Sequence, residues 1–364
     1  MKAKIITTLV IILVAAAIGV LAWRNRRPDD SGGKPVVKIG LSLPMTGNLG
    51  YIGRGVLGAI ETAKEDLNIA SLKNHYKFIL EDNAWDVKFM HQINAKLTGL
   101  DKVNVIIDLG TMAGRLTTQH IAGKPIIHVN LCASDKRVAD GKQSFAHTTL
   151  PEQEVPVLVD SLIGKYKNAA LVVLNAEHAV ITGREIEPLL RKNGIRFHTY
   201  TINPGERDMR ILLEKIELKK PDVYIVLLNS PELEIFARQK KERGFKTPMT
   251  STHYFSNTND FDWIEGSEYV DYAQVEGDLL ARILKRNAGK SDYTMCLGNA
   301  YDVITMLIPI LEESSAYQDI SDRLAQTKAY GGVMGVVRQD AAGVFRAGVS
   351  RRKVQNGKSV VIRE

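Results

Sequence analysis

The stretch Val36–Asn68, VVKIGLSLPMTGNLGYIGRGVLGAIETAKEDLN, decides the fold. Val36–Leu43 is an apolar run of strand length. Val56, Ile60, Ala63 and Leu67 follow at helical spacing, with Glu61, Lys64, Glu65 and Asp66 on the opposite face. The spacing predicts a buried strand, a loop of roughly ten residues and an amphipathic helix, where a βα connection usually takes about two to six. Loops at the carboxyl ends of strands in open α/β sheets are where ligands bind.

Working outward, strands and helices alternate from Val36 to about Asn130. Short apolar segments such as Val103–Asp108 and Pro125–Asn130 predict a parallel sheet covered on both faces. A second βα run begins at Ala169. Its helices end at Gly194, Pro221 and Gly244, residues that stop helices by supplying positive φ or by lacking an amide donor. Two such runs of similar size imply two similar α/β lobes. The last third is less regular: Met295–Glu313 is apolar on several sides and predicts a buried helix. Val333–Val337, Gly343–Val349 and Lys353–Ile362 predict antiparallel strands, with a turn at Asn356-Gly357.

Residues 1–27 carry a targeting or anchoring segment. Lys2 and Lys4 precede an apolar run from Ile5 to Trp23, long enough to span a bilayer at about 1.5 Å per residue. Two readings stay open. Val20-Leu21-Ala22 offers a cleavage site after Ala22, while the length of the run favours a retained anchor at residues 5–23. Both place the body outside the cytoplasm, in the periplasm or at the outer face of the cytoplasmic membrane. No Cys follows the run, which excludes a lipoprotein anchor. Residues 28–35 read as a linker.

The formal charge is +7, but Lys2, Lys4, Arg24, Arg26 and Arg27 lie in the leader without a compensating acid. The body is therefore nearly neutral, and there is no electrostatic case for nucleic acid. Cys132 and Cys296 are the only cysteines, so metal-ligand spacing is absent and at most one internal bridge can form. Two buried free thiols are the expectation, since free Cys packs readily in cores. No cofactor is expected. Gly53-Arg54-Gly55-Val56-Leu57-Gly58 spells the dinucleotide fingerprint, the remote alternative of an NAD-dependent oxidoreductase. Its mechanism needs the first Gly directly after the strand, and here a long loop intervenes. The chain is read as a binding protein and not an enzyme.

Several motifs resemble the type I periplasmic solute-binding proteins, especially the branched-chain amino-acid and amide binders of ABC transporters. The most specific is IGLSLPMTGNLGYIGRGVLGAIETAKEDLN; LEDNAWDVKFMHQINAKL, VNVIIDLGTMAGRL, KPIIHVN and the closing MGVVRQDAAGVFRAGVSRRKVQNGKSVVI follow in family order. The resemblance covers nearly all of Val36 to Glu364. It implies two Rossmann-like lobes joined by three crossovers, near Thr148–Glu154, Tyr269–Val275 and Gly332–Val336. Residues 36–150 and 276–333 would form lobe one, and 151–275 and 334–364 lobe two. A solute would be gripped between them by hinge closure and delivered to a membrane permease. The alternative on the same fold is a membrane-tethered ligand sensor or protein-binding scaffold.

By the same resemblance, the solute site falls on Tyr51, on Thr111 and Met112 after the third strand, and on Cys132 and Ser134 after the fourth. The second lobe would add Val180, Asn229 and His253. Amino-acid binders place an acid where this chain has His253, and an imidazole cannot replace a carboxylate as the partner of an ammonium group. The expected solute is small, neutral or acidic, and not a typical branched-chain amino acid.

Overall fold

A computed structural model describes residues 32–258, 260–286 and 294–362. The leader and the start of the linker lie outside the described residues. Among the described residues, no helix is long and apolar enough to cross a membrane.

Strand β1 (Val36–Leu43) is followed by helix α1 (Gly50–Asp66), which buries Ile52, Val56, Ala59, Ile60 and Ala63. The helix begins at Gly50, so the connection shrinks from the expected length of roughly ten residues to Pro44–Leu49. Gly53 makes this possible, because a Cβ there would stand 2.0 Å from the Pro44 carbonyl oxygen. The GxGxxG letters therefore lie inside a helix packed on the chain, not in a phosphate-cradling turn.

The alternation continues through β2 (His75–Asp82), α2 (Val87–Lys96), β3 (Val105–Leu109), α3 (Thr111–Ile121), β4 (Ile127–Leu131) and β5 (Ser144–His147). The chain then crosses to a second sheet through α4 (Pro151–Leu162), β6 (Asn168–Leu174), α5 (Glu177–Lys192), β7 (Arg196–Ile202), α6 (Arg210–Glu217), β8 (Val223–Leu227), α7 (Glu232–Glu242) and β9 (Met249–Thr250). It returns along β10 (Glu268–Tyr272) to α8 (Gly277–Arg286), α9 (Leu297–Glu313) and α10 (Tyr317–Gln326). Strands β11 (Ala329–Gly332), β12 (Gly335–Gln339), β13 (Val344–Arg346), β14 (Val349–Gln355) and β15 (Lys358–Val361) close the fold.

The first sheet runs β11-β12-β13-β5-β4-β3-β1-β2, the second β7-β6-β8-β9, and a small third sheet β10-β14-β15. Pairing from β2 to β5 and throughout the second sheet is parallel. Each lobe has its own apolar core. One joins Ile39, Leu41, Ile107 and Val129 to Val303, Ile304 and Leu307 of α9. The other joins Leu171, Val172, Ile225 and Leu227 to Leu158, Ile186 and Phe236. Strand β10 straddles the two, with Tyr269 and Val270 in the second core and Tyr272 in the first.

The expected crossover at Gly332–Val336 is instead a hairpin within the first sheet. Gly332 pairs with Gly335, whose φ of 83° lets the chain reverse, and Val337 and Phe345 are buried in the first core. The crossing comes later, at Ala347-Gly348, so residues 334–346 pair with the first sheet and not the second. Strand β13 also runs parallel to β5, although its pairing with β12 is antiparallel. The turn at Asn356-Gly357 joins β14 to β15 with both residues at positive φ, as a two-residue hairpin requires.

Candidate functional site

The carboxyl ends of β1 to β4 face those of β8 and β9 across a cleft with a cavity of about 40 Å³. Leu49, Ile52, Trp85 and Thr111 line it from the first lobe, beside a wall formed by Cys132, Ser134 and Cys296. His178, Asn229, His253 and Asn257 line it from the second. None of the residues around the cavity is an acid, a lysine or an arginine.

Helix α3 aims its amino terminus into the cleft. Its cap, Gly110, has φ 85°, and a Cβ there would fall 2.4 Å from the Trp85 ring, so only glycine lets the indole lie against this turn. The turn is braced from below. Asn130 Nδ2 donates to the Gly110 carbonyl (3.0 Å) and to Asp108 Oδ1 (2.7 Å), which also pairs with His128 Nε2 (2.9 Å). The Thr111 hydroxyl accepts the Ser134 amide at 2.9 Å, tying the loops after β3 and β4 together. A helix amino terminus held this way offers backbone N–H groups and a partial positive charge to an anion.

Across the cleft, the first turn of α4 carries Glu154, which is fully buried. Its carboxylate accepts the His253 backbone amide at 3.2 Å and pairs with His253 Nδ1 at 2.7 Å. Burial works against an imidazolium here. The Glu154 carboxylate, with Asp271 beyond it, outweighs burial and holds the His253 pKa above its ordinary value. His253 is thus a positively polarised donor whose second nitrogen is left for the cleft. His178 behaves oppositely. Burial, with the neighbouring His253 adding to it, pushes its pKa down to about 4. The neutral ring accepts from Asn229 Nδ2 at 2.9 Å, and Asn257 Nδ2 donates to Asn229 Oδ1 at 2.7 Å. Tyr254 stacks between the two histidines, with ring centroids 4.4 Å from His253 and 5.9 Å from His178.

The lobes also touch directly. Arg115 of α3 pairs with Glu177 of α5.

The sequence profile of the periplasmic binding protein family matches residues 36–260. The chain belongs to that family. Solved structures with the same fold include a leucine-binding protein of Thermotoga maritima, at 18% identity and TM-score 0.79, covering 90% of this chain and 98% of that one. A solute-binding protein of an ABC transporter from Rhodopseudomonas palustris, in complex with 3,4-dihydroxybenzoic acid, matches at 18% identity and TM-score 0.79, covering 90% and 96%. A branched-chain amino-acid binder of Streptococcus pneumoniae, in complex with isoleucine, matches at 17% identity and TM-score 0.78, covering 90% and 100%. No curated protein sequence matches the chain.

Of the residues expected at the site of this periplasmic binding protein, Thr111, Cys132, Ser134, Asn229 and His253 line the cavity. Tyr51, Met112 and Val180 do not line it. Tyr51 packs against the first core, Met112 sits half-buried on α3, and Val180 packs on the second core. The cysteines are not free thiols: Cys132 and Cys296 form a disulfide in the cleft wall. Cys132 follows β4 and Cys296 caps α9, elements that share one core, which brings the Cα atoms to 6.0 Å.

Sequence reasoning missed Trp85, His178, Asn257 and Glu154. The last left a signal, because Glu154 shares a helical face with Leu158, where the pattern calls for an apolar residue. Among the described residues, no group of His, Cys, Asp and Glu could hold a metal ion.

Proposed function

We propose that this protein captures a compact organic acid in the cleft, as the extracytoplasmic solute-binding component of an ABC-type uptake system. The carboxylate sits between the amino terminus of α3 and His253, and the apolar body lies against Trp85, Leu49 and Ile52. The observation that carries this reading is the His253–Glu154 pair: the lobe-two face presents a donor backed by a buried carboxylate. An ammonium group would find no carboxylate among the residues around the cavity, because Glu154 is engaged behind the imidazole.

A cavity of about 40 Å³ holds only a few waters. A solute of benzoate size therefore enters only if the lobes part, turning about the crossings at Thr148–Leu150, Ala273–Glu276 and Ala347-Gly348. Closure then excludes water and strengthens the polar contacts. The Rhodopseudomonas palustris neighbours in complex with benzoate and 3,4-dihydroxybenzoic acid support this solute class.

Calorimetry with benzoate and with leucine tests the proposal. Benzoate is expected to bind and leucine is not. Leaving an ammonium unpaired costs roughly 2–5 kcal/mol, or well over tenfold in affinity. Micromolar leucine binding, or benzoate binding unaffected by His253→Ala, would overturn it.

A further inference from the structure

A larger pocket lies at the far end of the second lobe. It measures about 510 Å³ and is lined at the starts of β8, β9 and β10 by Val223, Met249 and Glu268. The cleft, by contrast, is built on the residues that follow β8 and β9, so the two sites sit at opposite ends of one sheet. Small-molecule sites typically measure about 300–1,000 Å³.

The pocket has two chemical features. Lys165, Lys240, Lys241 and Lys246 contribute four ammonium groups. Tyr166, Phe245 and Trp263, each partly buried against the second core, contribute aromatic surface. Lys240 is the informative residue, because only 9% of it is exposed. Its Nζ donates to the Phe245 carbonyl at 3.0 Å and lies 5.7 Å from the Tyr224 ring centroid. Glu217, the carboxylate that acts on Lys240 electrostatically, accepts from Tyr224 and Thr247. Burial pushes the Lys240 pKa down; Glu217 opposes this and Lys246 adds to it.

Three acids, Asp262, Glu265 and Glu268, also line the pocket. Glu268 pairs with Arg351 at 3.1 Å, Glu265 accepts the amides of Asn356 and Gly357, and Asp262 is exposed. Lys241 lies over Trp263, with its Nζ 5.5 Å from the ring centroid. A nearly buried ammonium with one protein acceptor is costly to keep and is relieved by an anion.

We propose that this pocket is a second ligand site, built for a ring-bearing phosphate ester of mononucleotide size or smaller. Four lysines around one pocket suit a multiply charged head better than a single carboxylate. The aromatic walls suit a planar ring, and the volume admits both parts together. Bound there, the ligand touches α4, α7 and β10. The first and last of these lead to two of the three crossings between the lobes, so the site is placed to influence opening of the cleft.

Calorimetry of the full chain with phenyl phosphate tests this, with inorganic phosphate and phenol as the separate halves of the probe. The expected result is one phenyl phosphate per chain, bound more tightly than either half. Lys240→Met should weaken it roughly tenfold or more, since a hydrogen bond to a charged group is lost. Lys246→Gln should weaken it severalfold, and His253→Ala should leave it unchanged. If Lys240→Met lowers the melting temperature, Lys246→Gln and Lys165→Gln, both at exposed positions, carry the decision. No binding at millimolar probe, indifference to these lysine substitutions, or loss of binding in His253→Ala would each overturn the proposal.

Discussion

The two faces of the cleft reach the same polarity by different routes. The first lobe uses backbone: a helix amino terminus, a glycine pressed against Trp85, and loops tied by Thr111 and the Cys132–Cys296 bridge. The second uses side chains, in an imidazole–carboxylate pair and an amide chain running from Asn257 through Asn229 to His178. A backbone donor carries no charge that can be titrated away, and its strength is set by helix geometry. A side-chain donor takes its strength from its neighbours, so the second face is the one that substitution and pH can reach.

The largest effect should come from Glu154. Replacing it by Gln leaves His253 without its counter-charge, and breaking a buried pair from one side costs about 3–5 kcal/mol. Urea denaturation should show that loss, and benzoate binding should fall with it. Thr111→Val on the opposite face should cost much less. Equal losses would erase the contrast between the faces.

Next comes the bridge that stiffens the first face. It closes a loop with a sequence separation of 164 residues, and losing such a cross-link typically costs about 2–5 kcal/mol. Reduction, or Cys132→Ser with Cys296→Ser, should lower the urea midpoint accordingly. An unchanged midpoint would show that the packing of α9 alone holds the wall.

pH sharpens the comparison further. Asp271, buried behind His253, has its pKa pushed up to about 7 by burial, with Ser256 opposing and Glu154 reinforcing the shift. The folded state then holds a proton that the unfolded chain releases above about pH 4, so this group costs stability as pH rises toward 7. The raised pKa of His253 acts in the same direction: its contribution is full below about pH 6.5 and is lost as pH rises through its folded value. Asp271→Asn should therefore gain on the parent protein in urea midpoint between pH 4 and 7, as an expected range from the ordinary carboxylate value upward. A parallel pair of curves would count against the cluster.

The smallest effect should be that of Arg115→Ala. Its pair with Glu177 links the lobes but is about one-third exposed on each side, so its loss should shift benzoate affinity by less than ~1 kcal/mol. A larger change would make this contact a principal clamp.

Much of the architecture was legible because it is written locally. Val36–Leu43 is buried at six of its eight positions because both faces of a parallel sheet are covered, and Gly194 and Gly244 adopt the positive φ their helix ends need. The start of α1 was less legible, because a close approach of Gly53 to Pro44 overrode the loop expected from its glycines. Part of the cleft was reached through the family resemblance: Thr111, Cys132, Ser134, Asn229 and His253 all come after strand ends, where any α/β sheet presents its binding loops.

What the sequence determined by itself was the doubled βα plan, the amphipathic faces and the positions of the turns. These depend on periods of two and 3.6 residues and on the backbone preferences of Gly and Pro. The tertiary structure alone decided that Glu154 meets His253, 99 residues away, and that Cys132 meets Cys296. It also decided that β11 to β13 return to the first sheet, and that four lysines line one pocket at the far end of the second lobe. Such contacts leave no periodic trace. They exist because two separately formed cores are clamped together by three crossings of the chain, which fix how distant side chains face one another.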